Sequence, residues 1–145
     1  MKNSERMEQK LLERIKLCKL PPLQRRSLPF ECYWEDCIFT QEQKLIFTNQ
    51  WLGIGRADRL ELPGEYEVFE LCSQALLLIR DQDKALRLYA NTCRHRGSKL
   101  LDGKGQCQAI SCPFHGWTYA LDGSLKFAKT MSENPNFDFS EHSLI

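Results

Sequence analysis

Two short motifs in this chain pair a cysteine with a histidine, and such side chains can hold a metal. His95 follows Cys93 by two residues, and His115 follows Cys112 by three. Residues 96–111 lie between the motifs, and only one other histidine occurs in the chain. Thiolate sulfur and imidazole nitrogen are common ligands of zinc and iron. These four side chains are therefore the candidate site.

Short β-strands are predicted around both motifs. The segments EYEVFEL, ALLLIRD and ALRLYANT are rich in strand-forming residues and are separated by turn residues, so they predict successive antiparallel strands. CQAIS and GWTYAL are further predicted strands, and Asp122-Gly123 after the latter favours a type I′ hairpin turn. Each motif falls where a strand pattern gives way to glycine-containing residues. Residues 53–145 therefore predict a small all-β domain with the candidate ligands on two of its loops.

The first 52 residues predict a helical and extended N-terminal arm. Thr40 and Gln43 have the spacing of a capping box, which predicts a short helix over QEQKLIFTNQWL. Nearer the N-terminus, an amphipathic helix that ends at Pro21-Pro22 is predicted by apolar residues at helical spacing, namely Met7, Leu11, Ile15 and Cys18.

The composition excludes several classes of partner. A formal net charge of +1 gives no global reason to expect nucleic acid or an anionic membrane as a partner. No segment approaches the roughly 20 apolar residues of a membrane span. The seven cysteines are odd in number and irregular in spacing, which favours a reducing compartment over a secreted disulfide scaffold. We therefore expect a cytoplasmic protein without membrane contact.

The order of the ligand types bears on the kind of metal centre. Zinc fingers group two cysteines together and two histidines together, whereas each motif here contains one of each. A Rieske [2Fe–2S] centre places two cysteines on one iron and two histidines on the other, so each mixed motif would span both irons. The pattern favours this binuclear cluster, and a zinc-binding structural module remains the alternative.

Residues 93–125, CRHRGSKLLDGKGQCQAISCPFHGWTYALDGSL, resemble the Rieske domain of aromatic-ring-hydroxylating oxygenase large subunits. Looser similarity extends upstream through PGEYEVFEL and IFTNQWLGIGR to the arm at PPLQRRSLP. The resemblance implies a mainly β, Rieske-type antiparallel β-sandwich with two cluster-binding loops, preceded by a helical arm. It also implies that Cys93 and Cys112 bind an inner iron, and that His95 and His115 bind an outer iron near the surface.

A comparison with high-potential Rieske proteins bears on the expected reduction potential of the cluster. High-potential Rieske proteins carry an extra cysteine in each loop and a serine directed at the cluster. Ser98 and Phe114 stand here in place of the cysteines, and Trp117 stands in place of the serine. We therefore expect a potential near the lower limit for Rieske centres, about −150 mV. Trp117 is expected to pack over the cluster loop.

The implied function is electron transfer. The resembled large subunits accept electrons from a ferredoxin or flavin reductase and pass them to a mononuclear iron, which two histidines and a carboxylate hold in a C-terminal catalytic domain. Only His142 follows His115, so we expect that domain to be absent, no catalytic residues in this chain, and no hydroxylation by the chain alone. The alternative is a stand-alone Rieske-type ferredoxin.

The other cysteines and nearby cations receive simpler interpretations. Cys107 is the rival ligand, but it lies five positions before Cys112 and so on the opposite face of an unbroken strand. We expect free thiols at the remaining positions, Cys18, Cys32, Cys37 and Cys72. Cations around the site are either solvated surface or a docking patch for an acidic electron donor; they are Arg94, Arg96, Lys99 and Lys104.

Overall fold

The computed structural model describes residues 2–129, 131 and 133–145, with side chains from residue 9 onward. The chain divides into two compact units, Met1–Leu52 and Gly53–Ile145. Among the described residues, no helix has both the length and the apolar character needed to cross a membrane.

The first unit is helical. Helix α1 spans Lys2–Lys16 and continues into a 3-10 turn, Leu17–Lys19. The predicted first helix is therefore present, although the side chain of Met7 lies outside the described residues. Helix α2 spans Asp36–Glu42 and runs into a π-helical segment, Gln43–Phe47.

The capping box predicted at Thr40 is wrong. Helix α2 already begins at Asp36, so Thr40 lies inside it, and its hydroxyl donates a hydrogen bond to the Asp36 carbonyl at 2.8 Å. A threonine within a helix can bond to the carbonyl four residues earlier, and its hydroxyl is then not available to cap a new helix. The second helix thus starts four residues before the predicted capping residue.

A four-stranded antiparallel sheet forms one half of the second unit. Its spatial order is β3, β2, β1, β4, and its strands are β1 (Glu65–Leu71), β2 (Gln74–Arg80), β3 (Leu86–Ala90) and β4 (Lys104–Gln106). The register aligns Val68 with Leu77 and Leu77 with Tyr89, and this row packs into the core. The three predicted strands of this region are confirmed.

A smaller antiparallel sheet forms the other half. Its strands pair in chain order and are β5 (Ile110–Ser111), β6 (Thr118–Tyr119) and β7 (Leu125–Phe127). Ile110 and Tyr119 are fully buried and belong to the same core cluster as Leu77 from the larger sheet. The mainly β, antiparallel architecture predicted from the sequence is confirmed.

The predicted strand CQAIS forms only in its last two residues. Cys107 instead forms a backbone hydrogen bond outside the small sheet, donating its N–H to the Gly64 carbonyl at 3.0 Å. Gly64 has φ +83°, and a Cβ there would lie 2.0 Å from the Cys107 carbonyl oxygen. Only glycine permits this close approach, which draws the backbone at Cys107 away from strand β5.

The turn chemistry differs from the prediction at Asp122-Gly123. Gly123 has φ +85°, but Asp122 is not among the residues with positive φ, so the predicted type I′ turn is wrong. Ala120 N–H bonds to the Ser124 carbonyl at 2.9 Å, which encloses a three-residue loop ending in a left-handed glycine. The two left-handed residues that a type I′ turn requires occur between β1 and β2, where Cys72 and Ser73 have φ 51° and 62°.

We expect Ser73→Gly to stabilise the second unit. The substitution removes left-handed strain of roughly 1–2 kcal/mol and adds unfolded-chain entropy of about 0.4–1 kcal/mol. The free energy of unfolding, measured by urea denaturation, should therefore rise by roughly 0.5–1 kcal/mol. Ala75→Gly, in the extended strand β2, is the matched control and should lower it. A loss of stability with Ser73→Gly would contradict the strain argument.

Candidate metal centre

The two motif loops follow the same backbone path. One begins at Cys93, three residues after the end of β3, and the other begins at Cys112, directly after β5. In each loop the cysteine carbonyl accepts a hydrogen bond from a glycine N–H four residues later, Gly97 or Gly116, at 3.0 Å. Each cysteine N–H also donates to the carbonyl five residues later at 2.8 Å. The glycines have φ 72° and 71°, so both loops close through a left-handed residue.

The loops bring the four predicted ligands together in two layers. Cys93 and Cys112 belong to the core and are 3% and 4% exposed. His95 and His115 are half-buried, and their ring centroids lie 4.8 Å apart. The thiols therefore point to the interior and the imidazoles lie nearer the surface.

Two ring nitrogens in the outer layer lack partners. Nδ1 of His95 and Nδ1 of His115 are buried, and neither forms a hydrogen bond within the described part of the chain. An unpaired buried polar atom is unfavourable, so such an atom calls for a partner that the protein itself does not supply. Both nitrogens are suited to bind a metal.

The layered donor set fits a binuclear cluster. A structural zinc site requires four ligands around one centre, whereas a Rieske cluster requires a thiolate pair on one iron and an imidazole pair on the other. Buried thiols beneath partly exposed imidazoles match the second arrangement.

The surroundings of Cys112 favour the thiolate form. Burial acts to raise the pKa of this thiol, but backbone N–H groups of Phe114 and His115 donate to the sulfur and bring the pKa below its ordinary value. The side chains of Cys93 and Ser98 act in the same direction. Because a thiol must lose its proton to bind a metal, this environment prepares Cys112 as a ligand.

His95 is correspondingly held neutral. Burial lowers its pKa, and the nearby His115 and Arg96 lower it further because their positive charge disfavours the protonated, charged form of His95. A neutral imidazole is the form that binds a metal. The pKa shifts of Cys112 and His95 thus both suit metal binding.

Tyr119 supplies a hydrogen bond to the inner layer. Its hydroxyl lies 3.3 Å from the Cys93 sulfur and accepts a hydrogen bond from the Arg94 N–H at 3.1 Å. Burial, followed by the contact with Cys93, raises the pKa of Tyr119, so it keeps its proton and can donate to a thiolate. The sequence analysis missed this residue. Trp117 and Tyr119 are two residues apart in the predicted strand GWTYAL, so both side chains are expected on its inward face. A buried tyrosine hydroxyl needs a hydrogen-bond partner, and this was the available signal.

Cys107 lies away from this site. It is half-buried beside a cavity of about 440 Å³ lined by Pro63, Gln82, Gln106 and Gln108. Burial raises the pKa of its thiol, which disfavours the metal-binding thiolate. Among the described residues, none of the four predicted ligands lines this cavity.

Comparison with known proteins identifies the group of proteins to which this geometry belongs. The sequence profile described as "Rieske [2Fe-2S] domain" matches residues 50–138. The chain belongs to the Rieske [2Fe–2S] domain family. The family implies a Rieske-type [2Fe–2S] cluster as the cofactor, and the layered donor set described above fits it.

The similar proteins are oxygenase subunits. This Rieske domain is 31% identical over 125 residues to the carnitine monooxygenase oxygenase subunit of Escherichia coli (strain K12), covering 86% of this chain and 33% of the relative. The quaternary ammonium Rieske monooxygenase CntA, solved in complex with L-carnitine, matches with TM-score 0.73 and 33% identity over 81% of this chain and 34% of that one. Naphthalene 1,2-dioxygenase with bound indole matches with TM-score 0.67 and 26% identity over 73% and 24%.

The chain thus spans about one third of the length of the carnitine monooxygenase subunits that it matches.

We expect Tyr119→Phe to lower the reduction potential of the cluster. A hydrogen bond to a ligand sulfur stabilises the more negative reduced state, and about 1.4 kcal/mol of such stabilisation corresponds to about 59 mV for one electron. The loss should therefore be several tens of mV, measured by titration against redox mediators. Tyr89→Phe is the matched control, because the Tyr89 hydroxyl bonds to the Leu121 carbonyl, at 3.3 Å, and to no sulfur atom in the described part of the chain. Equal shifts in both variants would contradict a specific effect of Tyr119.

Proposed function

We propose that this Rieske domain is the one-electron relay of a Rieske oxygenase large subunit. Cys93 and Cys112 bind the inner iron through sulfur, and His95 and His115 bind the outer iron through Nδ1. When bound, the cluster takes up one electron and releases it again. The observation that carries this proposal is the layering of the site, with buried thiols behind two imidazoles that reach the surface.

The histidine layer is open to a redox partner. A cavity of about 510 Å³ borders both imidazoles and is otherwise lined by Phe114, Gly116 and Lys129. Phe114 lies against His115, with ring centroids 3.9 Å apart, and is 62% exposed. A partner that contacts this surface comes close to the outer iron ligands. The donor is a ferredoxin or flavin reductase, and the acceptor is a mononuclear iron in the catalytic domain of the oxygenase.

Two arginines next to His95 add positive charge to this surface. Lys99 pairs with Asp102, and Lys104 pairs with Glu67 at 3.2 Å, so these lysines are already matched with acids. Arg94 and Arg96 are exposed and make no ion pair within the described part of the chain. Unmatched cations beside the histidines favour an electron donor with an acidic surface.

The substrates of the similar proteins bear on the substrate class. Sequence identity to this chain is 31% for the carnitine monooxygenase subunit and 33% for the quaternary ammonium monooxygenase, against 26% for naphthalene 1,2-dioxygenase. We therefore favour a quaternary ammonium compound as the substrate of the oxygenase to which this domain contributes.

A free-standing Rieske-type ferredoxin remains the second candidate. The unpaired thiols of the chain agree with the predicted cytoplasmic location.

The ligand assignment predicts opposite results for two cysteine variants. Wild-type protein prepared anaerobically should contain two irons and two sulfides per chain and show the rhombic paramagnetic signal of a reduced mixed-ligand cluster. Cys112→Ser should lose both the iron and the signal. Cys107→Ser, which removes a half-buried thiol away from the site, should retain them. Equal loss in the two variants would overturn the assignment, and a colourless protein with one bound zinc would favour the structural module.

The positive charge of Arg94 and Arg96 beside the histidines predicts a rate of electron transfer that depends on salt concentration. With an acidic donor, transfer to the wild-type domain should slow as ionic strength rises. The double variant Arg94→Glu, Arg96→Glu should be slower by at least about tenfold at low salt and should lose most of this dependence.

The control for this experiment is Lys84→Glu. Lys84 lies in the hairpin before β3, at the other end of that strand from the loop of Cys93. This variant should leave the rate and its salt dependence close to those of the wild type. A flat salt dependence in the wild type would show that the arginines are ordinary solvated surface.

A further inference from the structure

His142, the third histidine of the chain, lies behind one of the proposed ligands. It ends a 3-10 turn, Ser140–His142, near the C-terminal end of the sequence. Its ring meets the Trp117 ring at 5.6 Å between centroids, with an interplanar angle of 73°. Trp117 in turn lies parallel to His95, at 4.7 Å and 7°. One aromatic ring therefore separates His142 from His95.

The indole of Trp117 depends on packing for its orientation. The side chain is 2% exposed, and its Nε1–H has no hydrogen-bond partner within the described part of the chain. Its position is therefore set by the rings around it: His95 on one face, and Phe137 and His142 in edge contacts. Removing one of these rings removes part of what holds the indole in place.

His142 is itself fixed in position. Its Nδ1 lies 2.9 Å from the Asp138 carbonyl oxygen, and because a carbonyl can only accept, Nδ1 carries the proton. The Asp138 carboxylate accepts hydrogen bonds from the backbone N–H and the hydroxyl of Ser140, both at 2.7 Å. The ring also stacks on Phe137, at 4.5 Å and 29°. A hydrogen bond and a ring stack thus hold the imidazole against the indole.

The C-terminal segment that carries these residues is tied to the β-domain. Leu144 is buried, and its N–H bonds to the Gly123 carbonyl at 2.8 Å. The Ile145 carbonyl accepts from Ala90 N–H at 2.8 Å, just before the loop of Cys93. His142 is therefore a fixed support and does not belong to a loose end of the described structure.

We propose that His142 is a positioning residue that sets the plane of the His95 imidazole through Trp117. Within the described residues, the His95 ring makes no hydrogen bond, so stacking on the indole orients it. Metal-bound histidines are commonly oriented by a neighbouring group, and the orientation influences the electronic structure of the metal. This inference rests on the proposed role of His95 as a ligand of the outer iron.

The test compares variants of His142 in the cluster-loaded protein. His142→Ala removes the supporting ring, so the three principal g-values of the reduced cluster should shift, the lines should broaden and the reduction potential should change. His142→Phe keeps a planar ring and should restore the wild-type spectrum. His142→Leu fills much of the same volume without a flat face and should resemble His142→Ala.

Phe139→Ala is the matched control. Phe139 belongs to the same segment and contacts Phe137, at 5.1 Å between ring centroids, but it has no ring contact with Trp117. This variant should lower the melting temperature while leaving the g-values and the potential unchanged.

The outcomes separate this inference from the proposed function. A wild-type protein without the rhombic signal would defeat the proposed function itself. With a normal wild-type signal, unchanged g-values in His142→Ala would overturn the positioning role. So would a shift in His142→Phe as large as that in His142→Ala. If His142→Ala fails to hold a cluster, the comparison of His142→Phe with His142→Leu decides: equal spectra would overturn the role, and different spectra would support it.

Discussion

The candidate site depends on the packing of the two sheets of the second unit, because that packing brings the two cysteine loops together. One loop connects β3 to β4 in the larger sheet, and the other connects β5 to β6 in the smaller one. Neither loop carries enough donors alone. Leu77 from one sheet and Ile110 from the other lie in the same core cluster as Cys93 and Cys112. The apolar contact that stabilises the fold therefore also fixes the separation of the two cysteine–histidine motifs, and a change in sheet packing would alter the candidate site directly.

The layering of the site also divides its electrostatics. Inside, N–H groups of its own loop favour the thiolate form of Cys112, and the hydroxyl of Tyr119 lies 3.3 Å from the Cys93 sulfur. Outside, burial and neighbouring positive charge keep His95 neutral. The sulfur of Cys112 thus lies where hydrogen-bond donors compensate for lost hydration, and the imidazole of His95 lies where a partner can approach. This arrangement keeps both thiols buried while the two imidazoles lie nearer the surface.

The sequence predicted those features that depend on local patterns. Strand periodicity located β1, β2 and β3, and the spacing of cysteine and histidine located the four residues that the two loops bring together. Features that depend on distant contacts were missed. The shortness of β5 reflects the contact of Cys107 with Gly64, which is far away in sequence. Tyr119 acquires its role from Cys93, 26 residues earlier. At Cys72-Ser73 the type I′ geometry is imposed by strand pairing on residues that do not favour it.

Orientation of His95 by stacking has a consequence for electron transfer. A hydrogen bond from the free ring nitrogen would fix the imidazole equally well, but it would occupy the edge that faces the cavity beside Phe114 and Lys129. Contact with the face of Trp117 fixes the plane and leaves that edge available. Since Nδ1 of both histidines is buried, the exposed part of each ring is the part that the proposed iron ligation does not use. The aromatic support behind the site therefore leaves both proposed outer ligands rigid and accessible to a partner, as the proposed relay of electrons between proteins requires.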